Sequence, residues 1–505
     1  MTFQLYDYFL FGLFFAFIFY LIYEGSAKRL VTSHYFNAGG KLSWFLIGAS
    51  FLGTNISFEY IFNSAANGFT VGLAFGSYEW MASFIMIIVA IYILPYFLRI
   101  GVLTLPEYLQ HRFNKSTRLL MAILFVGLQT GMLIPILNSN AMFVEALWGI
   151  PGIYTILFIS LCGGAIIISG GLKTKIKLDA VVVILFLFSS VVLLMFCFHE
   201  TGGITNFINI AGDRLNIIQP STHQSIPWTS VFLGGLWVLH VKYWAFFQPI
   251  AQTALASASL SESQKGFLFA ASVKVLIPFL LIIPGIIGYE LYASEITVPQ
   301  FTLTTLISKV APASLAGIII LGYVGTMFAT YTGYLNATSV ILSLDIGSSV
   351  FKNQSEKQIL RRTRITSLLI IGISICLAVI FSSTGNLFDL TLNILLSVTP
   401  VSTTVFLFAI FSKKTPAFAA NISIIAGIPV FFLVRHFVNL SLLDVSGLTF
   451  LILSAFMLLN RIVFALPSDV VLPEKFAVKF ERNLLVEIWG IFLVASVFTI
   501  YAIFL

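Results

Sequence analysis

Apolar stretches of about twenty residues follow one another along this chain, and no other feature restricts its fold so severely. About 20 apolar residues in a helix cross the ~30 Å hydrocarbon core of a bilayer. Inside that core each backbone N–H and C=O must be satisfied by the structure itself, which leaves helices or closed barrels. Runs of this length are helices. About fourteen can be read. The first seven cover residues 5–23, 42–66, 71–98, 117–148, 152–170, 178–198 and 226–250. The others cover 266–289, 312–345, 363–382, 386–412, 416–437, 443–465 and 484–505. Only 9% of the residues are charged, against about 25% in soluble domains. The polar stretches, around 200–225 and 466–483, are too short for a soluble catalytic or DNA-binding domain. The chain reads as one all-α polytopic membrane domain, 1–505, with the lipid bilayer as its solvent and no nucleic-acid partner despite a net charge of +7.

Loop charges orient it. The first span is long and has no cleavage-site pattern, so it is expected to stay as a helix. With the N-terminus outside, 22 of the 27 lysines and arginines lie on cytoplasmic loops, among them Lys28, Arg29, Arg112, Arg118, Lys173, Lys175, Lys177, Lys352, Lys475, Lys479 and Arg482. The positive-inside rule favours this orientation. Both termini are then extracytoplasmic, in a plasma membrane, and the compact loops suggest a bacterial inner membrane.

Lys242 and Lys274 stand in otherwise apolar stretches. A charge at bilayer depth costs at least ~2.5–3.5 kcal/mol, so it faces a partner or a wet cavity. Two spans also look unsuited to continuous helix. The second carries Gly48, Gly53, Thr54, Asn55, Ser57 and Glu59 at mid-depth; the seventh carries Gly234, Gly235, His240 and Lys242. Matched interrupted segments point to a transporter's binding site. The two lie five spans apart, and an odd number of crossings inverts a second copy.

Glu79, in GSYEWMASF, reads either as an interfacial helix-end residue or as a carboxylate that pairs with Lys274 and meets a solute. Lys242 reads as a lysine snorkelling to the headgroups or as a solute contact. His240 is the one histidine at membrane depth, structural or in contact with a solute or proton. Asp179 reads as a helix cap behind Lys173, Lys175 and Lys177, and Asp345 and Asp389 as caps at span ends. Thr104 and Glu107 read as a T-x-x-E capping box. The hydroxyls of Thr326, Thr330 and Thr332 either bond their own helix or, opposite unwound carbonyls, complete an oxygen-only site for a hard cation.

Several of these segments together resemble a known family. They are Asn55-Ile-Ser, Ser77-Tyr-Glu-Trp-Met81, Leu105-Pro-Glu-Tyr-Leu109 with Arg112-Phe113, and Gly234-Gly-Leu-Trp237 with Tyr243-Trp244 and Gln248. The last continues through Ser261-Glu-Ser-Gln-Lys-Gly266 to Lys274 and Pro278. Through them nearly the whole chain resembles the sodium:solute symporter family, in its sodium/glucose-galactose cotransporter branch. The resemblance implies a LeuT-type inverted five-plus-five core. Residues 1–41 would be an extra helix and loop, 42–200 and 226–412 the two repeats, and 416–505 three C-terminal helices.

Carried onto this chain, Glu79 and Lys274 fall on sugar-contacting positions and Tyr243 on an aromatic inner gate. His240 stands where bacterial galactose transporters have Asn. Tyr60 and Leu392 replace glutamines, Ala82 replaces a serine, and Tyr60 and Asn55 complete the implied solute site. The implied Na⁺ site takes carbonyls near Gly53, Ile56 and Thr326, a hydroxyl from Thr330, and a second position where Ala329 has lost its hydroxyl. The Thr326 hydroxyl, one turn away, is a candidate replacement. Asp179 matches a carboxylate on the ion exit path.

The expected function is secondary active symport, coupling inward Na⁺ flow to uptake of a sugar-like small solute by alternating access. Alternatives are H⁺ coupling, a polyol, carboxylate or amino-acid solute, and a solute sensor. An enzyme would need a nucleophile and base at depth, and His240 stands there without such a partner pattern.

Overall fold

The structure, a computed structural model, describes residues 4–27, 32–223, 225–351, 354–382, 387–473 and 483–504. Lys28, Arg29, Lys352, Lys475, Lys479 and Arg482 lie outside them. Among the described residues the only extended pairing is one bridge, Leu42 to Ser257; everything else regular is helix. We number the helices used below α1 Leu5–Ala27, α2 Trp44–Asn55, α3 Phe58–Thr70, α4 Ser77–Ile88, α5 Leu105–Arg112, α6 Lys115–Trp148 and α7 Gly152–Glu200. There follow α8 Gly235–Ala245, α9 Gln248–Leu255, α10 Leu260–Tyr292, α11 Ala313–Ile341, α12 Glu356–Ile380 and α13 Leu387–Phe411. The last are α14 Ala417–Phe437, α15 Leu442–Val463 and α16 Leu484–Ile503.

Eleven of the described helices are long and apolar enough to cross a membrane, and the bent pair α2–α3 makes a twelfth. The two remaining sequence spans are accounted for by breaks. Helix α7 has 49 residues, which at 1.5 Å each would reach about 74 Å, more than two hydrocarbon thicknesses. Gly171, at φ 60° and ψ −141°, divides it. A Cβ there would lie 2.6 Å from Tyr35 O, so both the backbone angle and the packing require glycine. The seventh span is in pieces, Trp228–Phe232, α8 and α9.

The first break falls where it was expected: α2 and α3 meet at 64° around Ile56 and Ser57. Ser57 N donates back to Asn55 O, and Tyr60 N to the Ser57 hydroxyl. Those are the amides that would have served Gly53 O and Ile56 O in a continuous helix, so both carbonyls are released. The second break is present at Gly234, as expected, but not at every residue expected of it. His240 and Lys242 sit on regular helix, and the chain unwinds at Gly234 and again at Phe246–Phe247. The glycines serve packing: a Cβ on Gly235 would lie 1.6 Å from Leu443 O on α15. The inner break is set by Pro249, which has no N–H to give to Ala245 O.

Helices α10, α11 and α13 are largely buried, whereas α1, α12, α14 and α16 expose most of their surface. The polar centre is therefore held by α10, α11 and α13 against α2–α3, α4 and α8. Thr104 caps α5 as expected, but Glu107 accepts from Leu103 N, one residue before the cap. Asp345 is a tie rather than a cap. It accepts from Thr104 Oγ1 (2.8 Å) and Arg118 Nε (2.7 Å), joining α5, α6 and the end of α11.

Candidate functional site

The released turn between α2 and α3 opens onto a cavity of about 130 Å³ at the centre of the bundle. Asn55, Tyr60, Glu79, His240, Tyr243 and Lys274, expected from sequence as solute contacts, all line it. They come from two distant stretches of the chain, α2, α3 and α4 in the first and α8 and α10 in the second. Leu392 lines it too.

Lys274 Nζ donates to Glu79 Oε2, and the two side chains are 2% and 6% exposed. The ammonium also lies 5.6 Å from the Tyr60 ring and 5.5 Å from the Trp244 ring, distances at which an aromatic face still attracts a cation. The pair is net neutral and keeps acceptor and donor capacity to spare. Across the cavity Glu59 accepts from Asn63 Nδ2 (2.8 Å) and Thr391 Oγ1 (3.1 Å). Sequence reading noted Glu59 only as a mid-depth polar residue; its place in α3, four residues before Asn63, was the available signal. Trp244, Tyr334 and Thr391 were missed, since aromatic and hydroxyl residues in apolar spans carry no signal until packing shows which way they face.

Three buried polar atoms on the lining residues, Asn55 Oδ1, Tyr60 Oη and His240 Nε2, have no hydrogen-bond partner among the described residues. Each such atom costs about 1–3 kcal/mol if left unsatisfied. Tyr243 supplies a flat face, its ring 5.3 Å from Trp244 and 4.8 Å from Phe247. The cavity thus offers donors and acceptors of both kinds between aromatic walls.

Beside it, along the last turn of α2, lies an oxygen-rich compartment. Thr330 Oγ1 on α11 donates to the released Gly53 O at 3.3 Å. Thr326 Oγ1 bonds back to Tyr323 O (2.7 Å) and keeps its lone pairs as acceptors. Ala329 is fully buried on the same helix. Asp179 is not a surface cap. It is buried against α2, where a Cβ on Gly53 would lie 3.0 Å from its carboxylate. Lys175, counted from sequence among cytoplasmic loop charges, is buried with it and makes a 2.5 Å ion pair. The apolar length of α7 beyond Gly171 carries both inward. Lys242 does not snorkel either: it is fully buried, its Nζ has no hydrogen-bond partner among the described residues, and the Phe247 ring lies 4.5 Å away.

Comparison with known proteins agrees with this architecture. A family model described as "Sodium:solute symporter family" matches residues 35–427. The "Sodium/glucose cotransporter" of Vibrio parahaemolyticus is 29% identical over 446 residues, 83% of this chain and 82% of that protein. "Sodium/glucose cotransporter 1" of Ovis aries is 28% identical over 433 residues, 77% of this chain but 65% of that protein, just under two thirds of its length. A solved Na⁺-coupled sialic acid symporter, substrate-bound and outward-open, superposes with a TM-score of 0.83 at 19% identity. That match spans 93% of this chain and 100% of the other, and its likeness is one of fold. The fold is the class expected from the sequence.

Proposed function

The chain belongs to the sodium:solute symporter family, and on that premise we propose that it imports a neutral, polyhydroxylated, sugar-like solute together with Na⁺. The observation that carries this reading is the set of unpartnered polar atoms, Asn55 Oδ1, Tyr60 Oη and His240 Nε2, converging with a neutral Glu79–Lys274 pair on one small cavity. A ring of hydroxyl groups can give and accept at each of these, while Tyr243 covers its apolar face. A carboxylate solute is disfavoured by Glu59 and Glu79 on the same walls.

Na⁺ enters beside the solute, at the carbonyls of Gly53 and Ile56 with Thr326 and Thr330, and stiffens the α2–α3 turn that also presents Asn55. Binding of one ligand thereby prepares the site of the other. In this reading 42–200 and 226–412 rock against each other as inverted repeats, and the ion leaves toward Asp179. Each Na⁺ gains ~2.3 kcal/mol per 100 mV of membrane potential. Both termini face out, in a bacterial inner membrane. The test is uptake of labelled sugars and polyols into proteoliposomes with and without an inward Na⁺ gradient. Na⁺-dependent accumulation of one of them, lost in Lys274→Ala, is expected. Accumulation that follows a pH gradient and ignores Na⁺ would refute the coupling, and no uptake of any panel member would refute the sugar-like solute.

A further inference from the structure

The Lys175–Asp179 pair does more than join two turns of α7. Lys175 Nζ donates to three oxygens: Asp179 Oδ2 at 2.5 Å, Thr54 Oγ1 at 2.7 Å and Ser50 Oγ at 3.0 Å. An ammonium has three protons, and all are used. The acceptors are arranged for a cation. Thr54 Oγ1 spends its own proton on Ser50 O, and Ser50 Oγ spends its on Asp179 Oδ2. Each hydroxyl therefore turns lone pairs toward the positive charge. A carboxylate and two hydroxyls make the oxygen-only set that a hard monovalent ion takes.

The place matters as much as the chemistry. Thr54 follows Gly53, whose carbonyl meets Thr330. On the α11 side stands Gly333, three residues along from Thr330. A Cβ on Gly333 would lie 3.2 Å from Lys175 Cε and 3.0 Å from Thr54 Cγ2, so the missing side chain makes room for the lysine stem. The ammonium is thus lodged among α2, α7 and α11, about one helical turn cytoplasmic of the proposed Na⁺ ligands.

We propose that Lys175 is a resident cation of the ion path, filling the Ser50–Thr54–Asp179 ring that would otherwise hold a second diffusible Na⁺. The chain then binds one alkali ion fewer than its oxygens permit, and an ion released from Gly53 and Thr330 passes Asp179 without stopping there. This rests on the ion compartment described above.

The experiment is thermal unfolding of the purified full chain in NaCl against choline chloride at constant ionic strength. It compares wild type, Lys175→Ala and the double variant Lys175→Ala/Asp179→Asn. Removing the ammonium should open the ring to Na⁺, so the saturable Na⁺-dependent rise in Tm of Lys175→Ala should be at least twice that of wild type. The double variant should lose the excess. If Lys175→Ala survives only in NaCl while the double variant survives in both salts, the proposal also stands. Equal Na⁺ shifts in wild type and Lys175→Ala overturn it. So does a Lys175→Ala that unfolds in both salts beside a stable double variant, which would make the pair purely structural. No Na⁺ shift in any protein, wild type included, would overturn the ion compartment itself.

Discussion

Breaking the Glu79–Lys274 pair tests whether the central cavity is organised by charge. Both side chains are almost wholly buried, so the value of an exposed pair, ~0.2–1 kcal/mol, does not apply. Removing one partner of a buried pair costs about 3–5 kcal/mol, because the survivor is left uncompensated. The surroundings rank the two single variants. In Glu79→Gln the ammonium keeps the Tyr60 and Trp244 faces at 5.6 and 5.5 Å, which places the loss near the lower figure, about 3 kcal/mol. In Lys274→Met the carboxylate loses the ammonium that donates to it and balances its charge, and the loss nears about 5 kcal/mol. The double variant Glu79→Gln/Lys274→Met removes both charges and should recover most of this, giving a coupling energy of about 3 kcal/mol or more. Denaturant titration of the full chain in mixed micelles measures all four proteins. A coupling energy below about 1 kcal/mol would mean that water already screens the pair, and the reasoning from burial would be wrong.

Four further outcomes follow from the same geometry. His240→Leu should weaken binding of the transported sugar about tenfold, roughly 1.4 kcal/mol, because it removes Nε2, which has no hydrogen-bond partner among the described residues and is left for the solute; competition uptake measures it. Lys242→Met should be neutral or stabilising in micelle titration, since a buried charge with no hydrogen-bond partner among the described residues is exchanged for a side chain of similar length; a loss well above about 2 kcal/mol, the scale of a desolvated cation–π contact, would reveal a role that Phe247 does not explain. Gly171→Ala should cost about 1–3 kcal/mol from backbone strain alone, seen as a lower Tm. Asp345→Ala should leave the Arg118 charge unbalanced, held only by Gln110 Oε1 and Leu344 O, and lower stability by up to about 3 kcal/mol, while Asp345→Asn, which can still accept from Thr104, should lose less.

Much of the site was legible before folding, for a reason specific to membranes. Polar residues in a 20-residue apolar span are rare because they are costly, so Glu79, His240 and Lys274 announce themselves, and all three reach the cavity. The same logic misplaced Lys175 and Lys242. A lysine near a span end can reach the headgroups or turn inward, and hydropathy is equal for both; the oxygens of Ser50, Thr54 and Asp179 decide for Lys175. The interruption at Gly234–Gly235 was legible, since the chain does unwind at Gly234; that His240 and Lys242 stay helical and the chain opens again at Phe246–Phe247 was not, because that inner break depends on Pro249 beyond them. Asp345 was read as a cap because its partner Arg118 is more than two hundred residues away in sequence.

The sequence by itself determined that this chain is a bundle of membrane helices, where the first break lies, and which costly side chains it carries at depth. Those properties depend on the length and periodicity of single segments, and a bilayer enforces them locally. Tertiary structure alone decided which of those side chains share a space. Only when α2, α7 and α11 pack together does the Lys175 ammonium come to rest among three oxygens, and only with α4 beside α10 does Lys274 find Glu79. The span pattern says which residues are buried, but the partner each one meets is set by helix packing between segments hundreds of residues apart.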